Sequence, residues 1–121
     1  MKKVLIIDDS PFIAKEIADV IEPKGYEVAG HAKNGEDGIR MAEELQPDAI
    51  TLDIIMPGID GIETATELLK KNPGARIVML SSLCDHDTMA EIQALGLKHL
   101  VAKPIEADKL LEALDEVTSE E

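Results

Sequence analysis

Polar residues with catalytic side chains stand where short apolar segments of the sequence end. They are Asp8, Asp9, Asp53, Ser81 and Lys103. Three carboxylates held close together repel one another and favour a bound cation, and their hard oxygen atoms suit Mg²⁺. A hydroxyl and an ammonium beside them could hold an anionic group against that cation, as in sites of phosphoryl transfer. The residue types therefore predict a cation-dependent phosphoryl site, provided that the fold brings the five together.

Taken alone, each of these residues fits an ordinary polar residue at the end of a strand as well as it fits a functional residue. The set is more informative than its members, because polar groups interrupt four apolar segments at the same end each time. In an open parallel sheet, function collects at the carboxyl ends of the strands, where the strand order reverses. This shared placement favours one common site over five unrelated polar ends.

The segments that precede these residues predict buried strands that alternate with helices. Val4-Leu5-Ile6-Ile7 is continuously apolar, which is typical of a strand covered on both faces. Ser10 and Pro11 then match an N-cap followed by proline at the first helical position. The predicted strands are 4–7, 27–32, 49–54, 77–80 and 100–102, and the helices run from Phe12 to Ile21, from Asn34 to Leu45, and over 62–71, 87–95 and 106–117. This order predicts an α/β fold with one doubly wound, five-stranded parallel sheet.

Length and charge set the class of protein. The chain has 121 residues, which fits one domain, and a formal net charge of −13. That charge argues against nucleic acid and against an anionic membrane surface, because both require clustered Lys and Arg. No apolar run approaches the roughly 20 residues of a spanning helix. The single cysteine, Cys84, fits a reducing compartment, so we expect a soluble, cytoplasmic protein.

Several nucleotide-dependent and hydrolytic classes are excluded by the absence of their motifs. The sequence contains no G-x-x-x-x-G-K-[ST] motif and no G-x-G-x-x-G motif. An aspartyl phosphatase of the haloacid dehalogenase type would place an acid two residues after its nucleophile. The residue two after Asp53 is Ile55, and the residue two after Asp8 is Ser10. We therefore expect no hydrolase of that class.

Four segments, in this combination and order, resemble the receiver domain of two-component response regulators of the CheY-like type. They are LIIDDS at 5–10, LDIIMPGIDG at 52–61, MLSS at 79–82 and AKP at 102–104. The resemblance runs from Val4 to about Val117. It implies a flavodoxin-like (βα)5 fold and a single receiver domain over residues 1–121, with 118–121 as a short acidic tail.

The resemblance also implies roles for the acidic residues. Asp53 is similar to the residue that accepts a phosphoryl group from the phosphohistidine of a histidine kinase. Asp9, Asp53 and the backbone carbonyl of Ile55 are similar to the family's Mg²⁺ ligands, and Asp8 to the residue that orients water at the ion. The implied activity is transfer to the protein's own aspartate and its later loss, and not catalysis on another molecule.

Lys103 and Ser81 are similar to the family residues that contact the phosphoryl oxygens, with Ser81 moving toward them as the switch step. The family often has an aromatic residue three positions before the lysine, where this sequence has Leu100. The positions that tune loss of the phosphoryl group are Ile55 and Leu83. Both are apolar and cannot orient an attacking water, so we expect slow self-dephosphorylation.

The resemblance implies a sensor histidine kinase as one partner and a downstream protein as the other. The downstream partner is expected on the face formed by helix 4, strand 5 and helix 5, in a chemotaxis-type pathway. The last helix carries only Lys109 as a basic residue, so a monomer is favoured over a dimer. Three alternatives remain open: an excised receiver of a methylesterase or transcription factor, a phosphate sink, and a pseudo-receiver that binds partners constitutively.

The remaining residues with reactive or soft side chains have ordinary structural interpretations. No pair of histidines has the spacing of metal ligands, and surface or loop roles are expected for His31, His86 and His99. Cys84 is expected to be structural. Core and rim packing is expected for Met41, Met56, Met79 and Met89.

Overall fold

A computed structural model of the chain describes residues 1–82 and 86–119. Strands and helices alternate along it, with one turn of 3₁₀-helix, Glu22–Lys24, after the first helix. The elements are β1 (Lys2–Ile7), α1 (Pro11–Ile21), β2 (Tyr26–Ala32), α2 (Gly35–Leu45), β3 (Ala49–Asp53), α3 (Gly61–Lys71), β4 (Ile77–Ser81), α4 (His86–Ala94), β5 (Leu100–Ala102) and α5 (Ala107–Ser119). Within residues 1–82 and 86–119, the number and the order of the predicted strands and α-helices are confirmed.

The five strands form one parallel sheet in the order β2-β1-β3-β4-β5. The chain moves outward from β1 to β2 and then returns to the other side of β1 to form β3. The strand order therefore reverses between β1 and β3, and a doubly wound sheet binds its ligands at this point. The predicted flavodoxin-like fold is confirmed.

Two apolar cores cover the two faces of the sheet. Successive side chains of a strand face opposite sides, so Val4 and Ile6 pack with residues of α1 and α5, whereas Leu5 and Ile7 pack with residues of α2, α3 and α4. This arrangement explains why the sequence of β1 is continuously apolar instead of alternating.

Side-chain caps fix the starts of three helices at the carboxyl edge of the sheet. The Ser10 hydroxyl accepts from the backbone N–H of Ile13 at 3.3 Å, and the Asn34 Oδ1 accepts from that of Asp37 at 2.8 Å. Both caps agree with the sequence. The Asp60 carboxylate caps α3 in the same way. After the carboxyl end of α4, Gly96 has a left-handed conformation, with φ of 82°, which is typical of glycine at this position.

Two local expectations are wrong. The spacing of Phe12, Ile17 and Ile21 predicts one apolar face for α1, but Phe12 is 85% exposed, while Ile17 and Ile21 are fully buried. The last helix is predicted to end at residue 117, but α5 continues to Ser119, and the Thr118 hydroxyl donates to the carbonyl of Leu114 at 2.7 Å. The expectations for Leu83, for Cys84 and for the last two residues lie outside the described part of the chain. Among the described residues, no helix has the length and apolar character that a membrane span requires.

Candidate functional site

Three carboxylates meet where the strand order reverses. Asp8 directly follows β1 and Asp53 is the last residue of β3; these strands are hydrogen-bonded neighbours, with Ile7 opposite Leu52. The carboxylates of Asp8, Asp9 and Asp53 each offer an oxygen atom, and these oxygens lie within 4.8 Å of one another. Asp8 and Asp53 are buried, whereas Asp9 is exposed. The structure thus brings together the three acidic residues that the sequence selected.

Lys103 bridges two of these carboxylates. Its Nζ lies 3.0 Å from Asp8 Oδ2 and 3.3 Å from Asp53 Oδ1. Its backbone N–H donates to the carbonyl of Ser81 at 2.9 Å, which ties the residue after β5 to the end of β4. Ser81 is itself buried and pairs with Ala102 across the sheet. Lys103 and Ser81 therefore lie at the same edge of the sheet as the acidic cluster.

Each polar atom of Asp8 has a partner. Its backbone N–H donates to the carbonyl of Ala32 at 3.0 Å, and its carboxylate accepts from the backbone N–H of Ser10 at 2.9 Å and from Lys103. Its backbone carbonyl lies 2.7 Å from Nε2 of His31. These contacts hold the buried carboxylate in one orientation.

The expectation of a surface or loop role for His31 is therefore wrong. His31 lies in β2, is half-buried and contacts the first residue of the acidic cluster. The signal that could have identified it is the one used for the other site residues, a polar side chain near the end of a predicted strand.

The loop that follows Asp53 is held against the sheet by Gly61. The backbone N–H of Gly61 donates to the carbonyl of Ile54 at 2.7 Å. A Cβ atom at Gly61 would overlap the backbone carbonyl oxygen of Asp53 and would lie 2.6 Å from Cα of Ile54. Only glycine permits this close approach between the start of α3 and the end of β3. Ile55 lies in the same loop, two residues after Asp53 in the sequence, and is 57% exposed.

Burial and charge shift the ionisation of the site. Burial raises the pKa of Asp53, and the neighbouring Asp8 carboxylate raises it further; Lys103 and a backbone hydrogen bond from Ile55 act in the opposite direction. Burial acts to lower the pKa of Lys103, but the hydrogen bond and charge of Asp8, together with Asp53, raise it overall. The site thus holds one ammonium and three carboxylates. When all are ionised its net charge is negative, which favours the binding of a cation.

The donor set fits Mg²⁺. The three side chains supply hard carboxylate oxygens, and the exposure of Asp9 leaves one side of the cluster open to water. Mg²⁺ typically takes one or two carboxylates and keeps several waters, instead of an all-protein cage. Fold and site together therefore define a class: a flavodoxin-like α/β domain with an acidic cluster and a bridging lysine at its switch point.

Comparison with known proteins identifies the family. Residues 4–115 match the model of the response regulator receiver domain. The chain belongs to the response regulator receiver family, as its motifs indicated.

Its relatives are CheY-like. The chain is 38% identical over 117 residues to the chemotaxis protein CheY of Thermotoga maritima, covering 97% of this chain and 98% of the relative. The response regulator domain of T. maritima CheB has a TM-score of 0.91 at 33% identity, covering 100% and 98% of the two chains. CheY in a CheX–CheY–BeF₃–Mg²⁺ complex from Borrelia burgdorferi has a TM-score of 0.91 at 29% identity, covering 96% and 88%. The predicted resemblance to CheY-like receivers is confirmed.

Proposed function

We propose that this receiver domain is a phosphorylation-dependent switch whose phosphoacceptor is Asp53. The observation that carries the proposal is the position of the Asp53 carboxylate, which is buried at the switch point, grouped with Asp8 and Asp9, and 3.3 Å from the Lys103 ammonium. Such a position supplies a nucleophile, a cation site and a positive charge in one place.

In the proposed reaction a carboxylate oxygen of Asp53 attacks the phosphorus of a phosphohistidine on a sensor histidine kinase. A phosphorus–oxygen bond forms, the phosphorus–nitrogen bond breaks, and the imidazole leaves with its electron pair and takes up a proton. Lys103 contacts one oxygen of Asp53, so its ammonium is near enough to stabilise the negative charge of a phosphoryl group attached to that carboxylate. The protein is thus both the substrate and the site of this reaction, and we propose no further enzymatic activity.

Asp9, Asp53 and the backbone carbonyl of Ile55 are the proposed Mg²⁺ ligands, with Asp8 beside them. When bound, Mg²⁺ supplies positive charge that offsets the carboxylates and the incoming phosphoryl oxygens. Asp8 contributes through its orientation, because its hydrogen bonds to Ser10 and Lys103 prevent its carboxylate from turning away.

The proposed switch runs from Ser81 to the face formed by α4, β5 and α5. Ser81 ends β4, the strand that precedes α4, next to Leu80, which lies opposite Asp53; Lys103 directly follows β5. A phosphoryl group held by both side chains would therefore act on the end of β4 and on the end of β5. Leu100 stands where many receivers have an aromatic residue, which leaves Ser81 and Lys103 as the proposed carriers of the signal. A relative from B. burgdorferi forms a complex with CheX, BeF₃ and Mg²⁺, and we propose a downstream protein partner here too.

The remaining features of the proposal follow the CheY relatives. We propose a single receiver domain that acts as a cytoplasmic monomer in a chemotaxis-type pathway and binds neither nucleic acid nor membrane. Its relative in T. maritima is a chemotaxis protein of nearly the same length. The net charge of −13 supports a protein partner over an anionic polymer.

Intact mass spectrometry after incubation with acetyl phosphate tests the proposal. The wild type should gain one phosphoryl group in the presence of Mg²⁺ and none in EDTA. Asp53→Ala should gain none, whereas the matched control Asp19→Ala, at an exposed position of α1, should behave as wild type. An adduct in Asp53→Ala, or none in the wild type, would overturn the proposal. Rapid multiple turnover of acetyl phosphate would instead indicate a phosphate sink.

A further inference from the structure

His31 connects the edge strand of the sheet to the acidic site. It lies near the end of β2, opposite Ile6 of β1, and its half-buried ring reaches the residue that follows β1. Its Nε2 is 2.7 Å from the backbone carbonyl oxygen of Asp8. Because a carbonyl can only accept, Nε2 carries the hydrogen and donates it.

The carbonyl that accepts this hydrogen bond belongs to the peptide linking Asp8 to Asp9. A peptide group is planar, so a donor that holds its oxygen also sets the direction of the bond that begins Asp9. The other contacts of Asp8 fix its own N–H and its carboxylate. The hydrogen bond from His31 acts directly on the peptide that begins Asp9, and the bond from the Ser10 N–H to the Asp8 carboxylate spans Asp9 from the other side.

We propose that His31 is a positioning residue for the cation site, which holds the Asp8–Asp9 peptide so that the exposed Asp9 carboxylate stays within reach of Asp53. The inference rests on the proposed function, because it assigns His31 to the Mg²⁺ site of that proposal. The contacts that Lys103 makes with Asp8 and Asp53 do not involve the His31 ring, so we expect them to persist when His31 is replaced.

The consequence is a specific loss of Mg²⁺ affinity. Removing groups that orient metal ligands commonly costs from about tenfold to about a hundredfold in affinity, and we expect the lower end because His31 acts through the backbone. Phosphoryl uptake by the variant should be slow at limiting Mg²⁺ and should return to the wild-type rate at saturating Mg²⁺. A merely structural role for His31 would not produce this dependence on Mg²⁺ concentration.

Isothermal titration calorimetry with MgCl₂ on the full chain tests the inference with four proteins. His31→Leu removes the donor and should bind Mg²⁺ about tenfold more weakly. His31→Gln, whose amide reaches the same point and donates, should restore affinity to within a factor of about two. His99→Leu is the matched control: His99 is also a partly buried histidine, but it contacts Glu116 on α5, and the variant should bind as wild type.

The outcomes separate this inference from the proposed function. Wild-type affinity in His31→Leu, or equal weakness in His31→Leu and His31→Gln, would overturn the role of His31 and leave the phosphoacceptor untouched. Absence of Mg²⁺ binding in the wild type would overturn the proposed function itself. If urea unfolding in EDTA shows that His31→Leu does not fold, the comparison of His31→Met with His31→Gln decides the question in the same way.

Discussion

Replacing Gly61 with alanine should disturb the protein at the backbone of its proposed phosphoacceptor. The start of α3 packs so closely on the end of β3 that a Cβ at residue 61 overlaps the carbonyl oxygen of Asp53 and lies 2.6 Å from Cα of Ile54. Both obstacles are backbone atoms, so no side chain can rotate to make room. The helix must move away from the strand, or the Asp53 peptide must turn.

The expected cost follows from the geometry. Forcing an extra methyl group into a well-packed region costs about 1–3 kcal/mol, and the upper part of that range applies where only the backbone can yield. Gly61→Ala should therefore lower the free energy of unfolding by about 2–3 kcal/mol, with a Tm lower by about 10 °C. Gly74→Ala is the matched control, because its Cβ would meet only the Asn72 side chain, at 3.5 Å. The free energy of unfolding of Gly74→Ala should equal that of the wild type or exceed it by up to about 1 kcal/mol.

Urea unfolding followed by far-ultraviolet circular dichroism in EDTA measures both variants against the wild type. The Gly61→Ala protein should also take up phosphoryl from acetyl phosphate more slowly at saturating Mg²⁺, since the displaced atom belongs to Asp53. A Gly61→Ala protein as stable as Gly74→Ala would refute the reasoning, because the close approach of α3 to β3 would then not constrain the chain.

Three further predictions concern a buried hydroxyl, a shifted pKa and an exposed loop residue. Thr51 is fully buried, and its hydroxyl has no hydrogen-bond partner among the residues that the structure describes. Thr51→Val removes this unpaired polar group and should raise the free energy of unfolding by about 1 kcal/mol in urea titrations. A decrease would contradict this prediction. The pKa of Asp53 is raised in the folded state by burial and by Asp8, so its ionisation lowers stability as pH rises through that pKa. In EDTA, Asp53→Asn should therefore be more stable than wild type at neutral pH, and this difference should vanish below the ordinary aspartate pKa of about 3.9; a difference that persists there would contradict the assignment. Ile55 is exposed and cannot orient water, so Ile55→Asn should shorten the lifetime of the phosphoryl adduct severalfold, as followed by intact mass; an unchanged lifetime would argue against a role for this position.

The sheet and the acidic cluster could be predicted because each strand carries its own signal. The continuous apolar run before Asp8 requires burial on both faces, and polar residues that close such strands must meet at one edge. The caps Ser10 and Asn34 are local signals of the same kind, since the side chain bonds its own helix. These features depend on residues close in the sequence.

Some of the features that the sequence did not reveal depend on contacts between distant elements. His31 reaches Asp8 only because β2 lies next to β1, and the order of strands in the sheet is not written in the sequence of either strand. Phe12 keeps the spacing of an apolar helix face, but it lies in the first turn of α1 and its side chain is exposed. The polar residues after Val117 are typical of a tail, but α5 continues through Thr118, whose hydroxyl accepts a hydrogen bond from Lys2 Nζ of β1 at 3.2 Å.

Locating the phosphoryl group on the chain tests the central claim most directly. The acetyl phosphate-treated protein would be reduced with borohydride, which converts an aspartyl phosphate to homoserine, and the modified peptide would be sequenced by tandem mass spectrometry. We predict modification at Asp53 alone, dependent on Mg²⁺ and strongly reduced in Lys103→Met. Modification at Asp8 or Asp9 instead, or at Asp53 with no dependence on Mg²⁺, would contradict the assignment of this site.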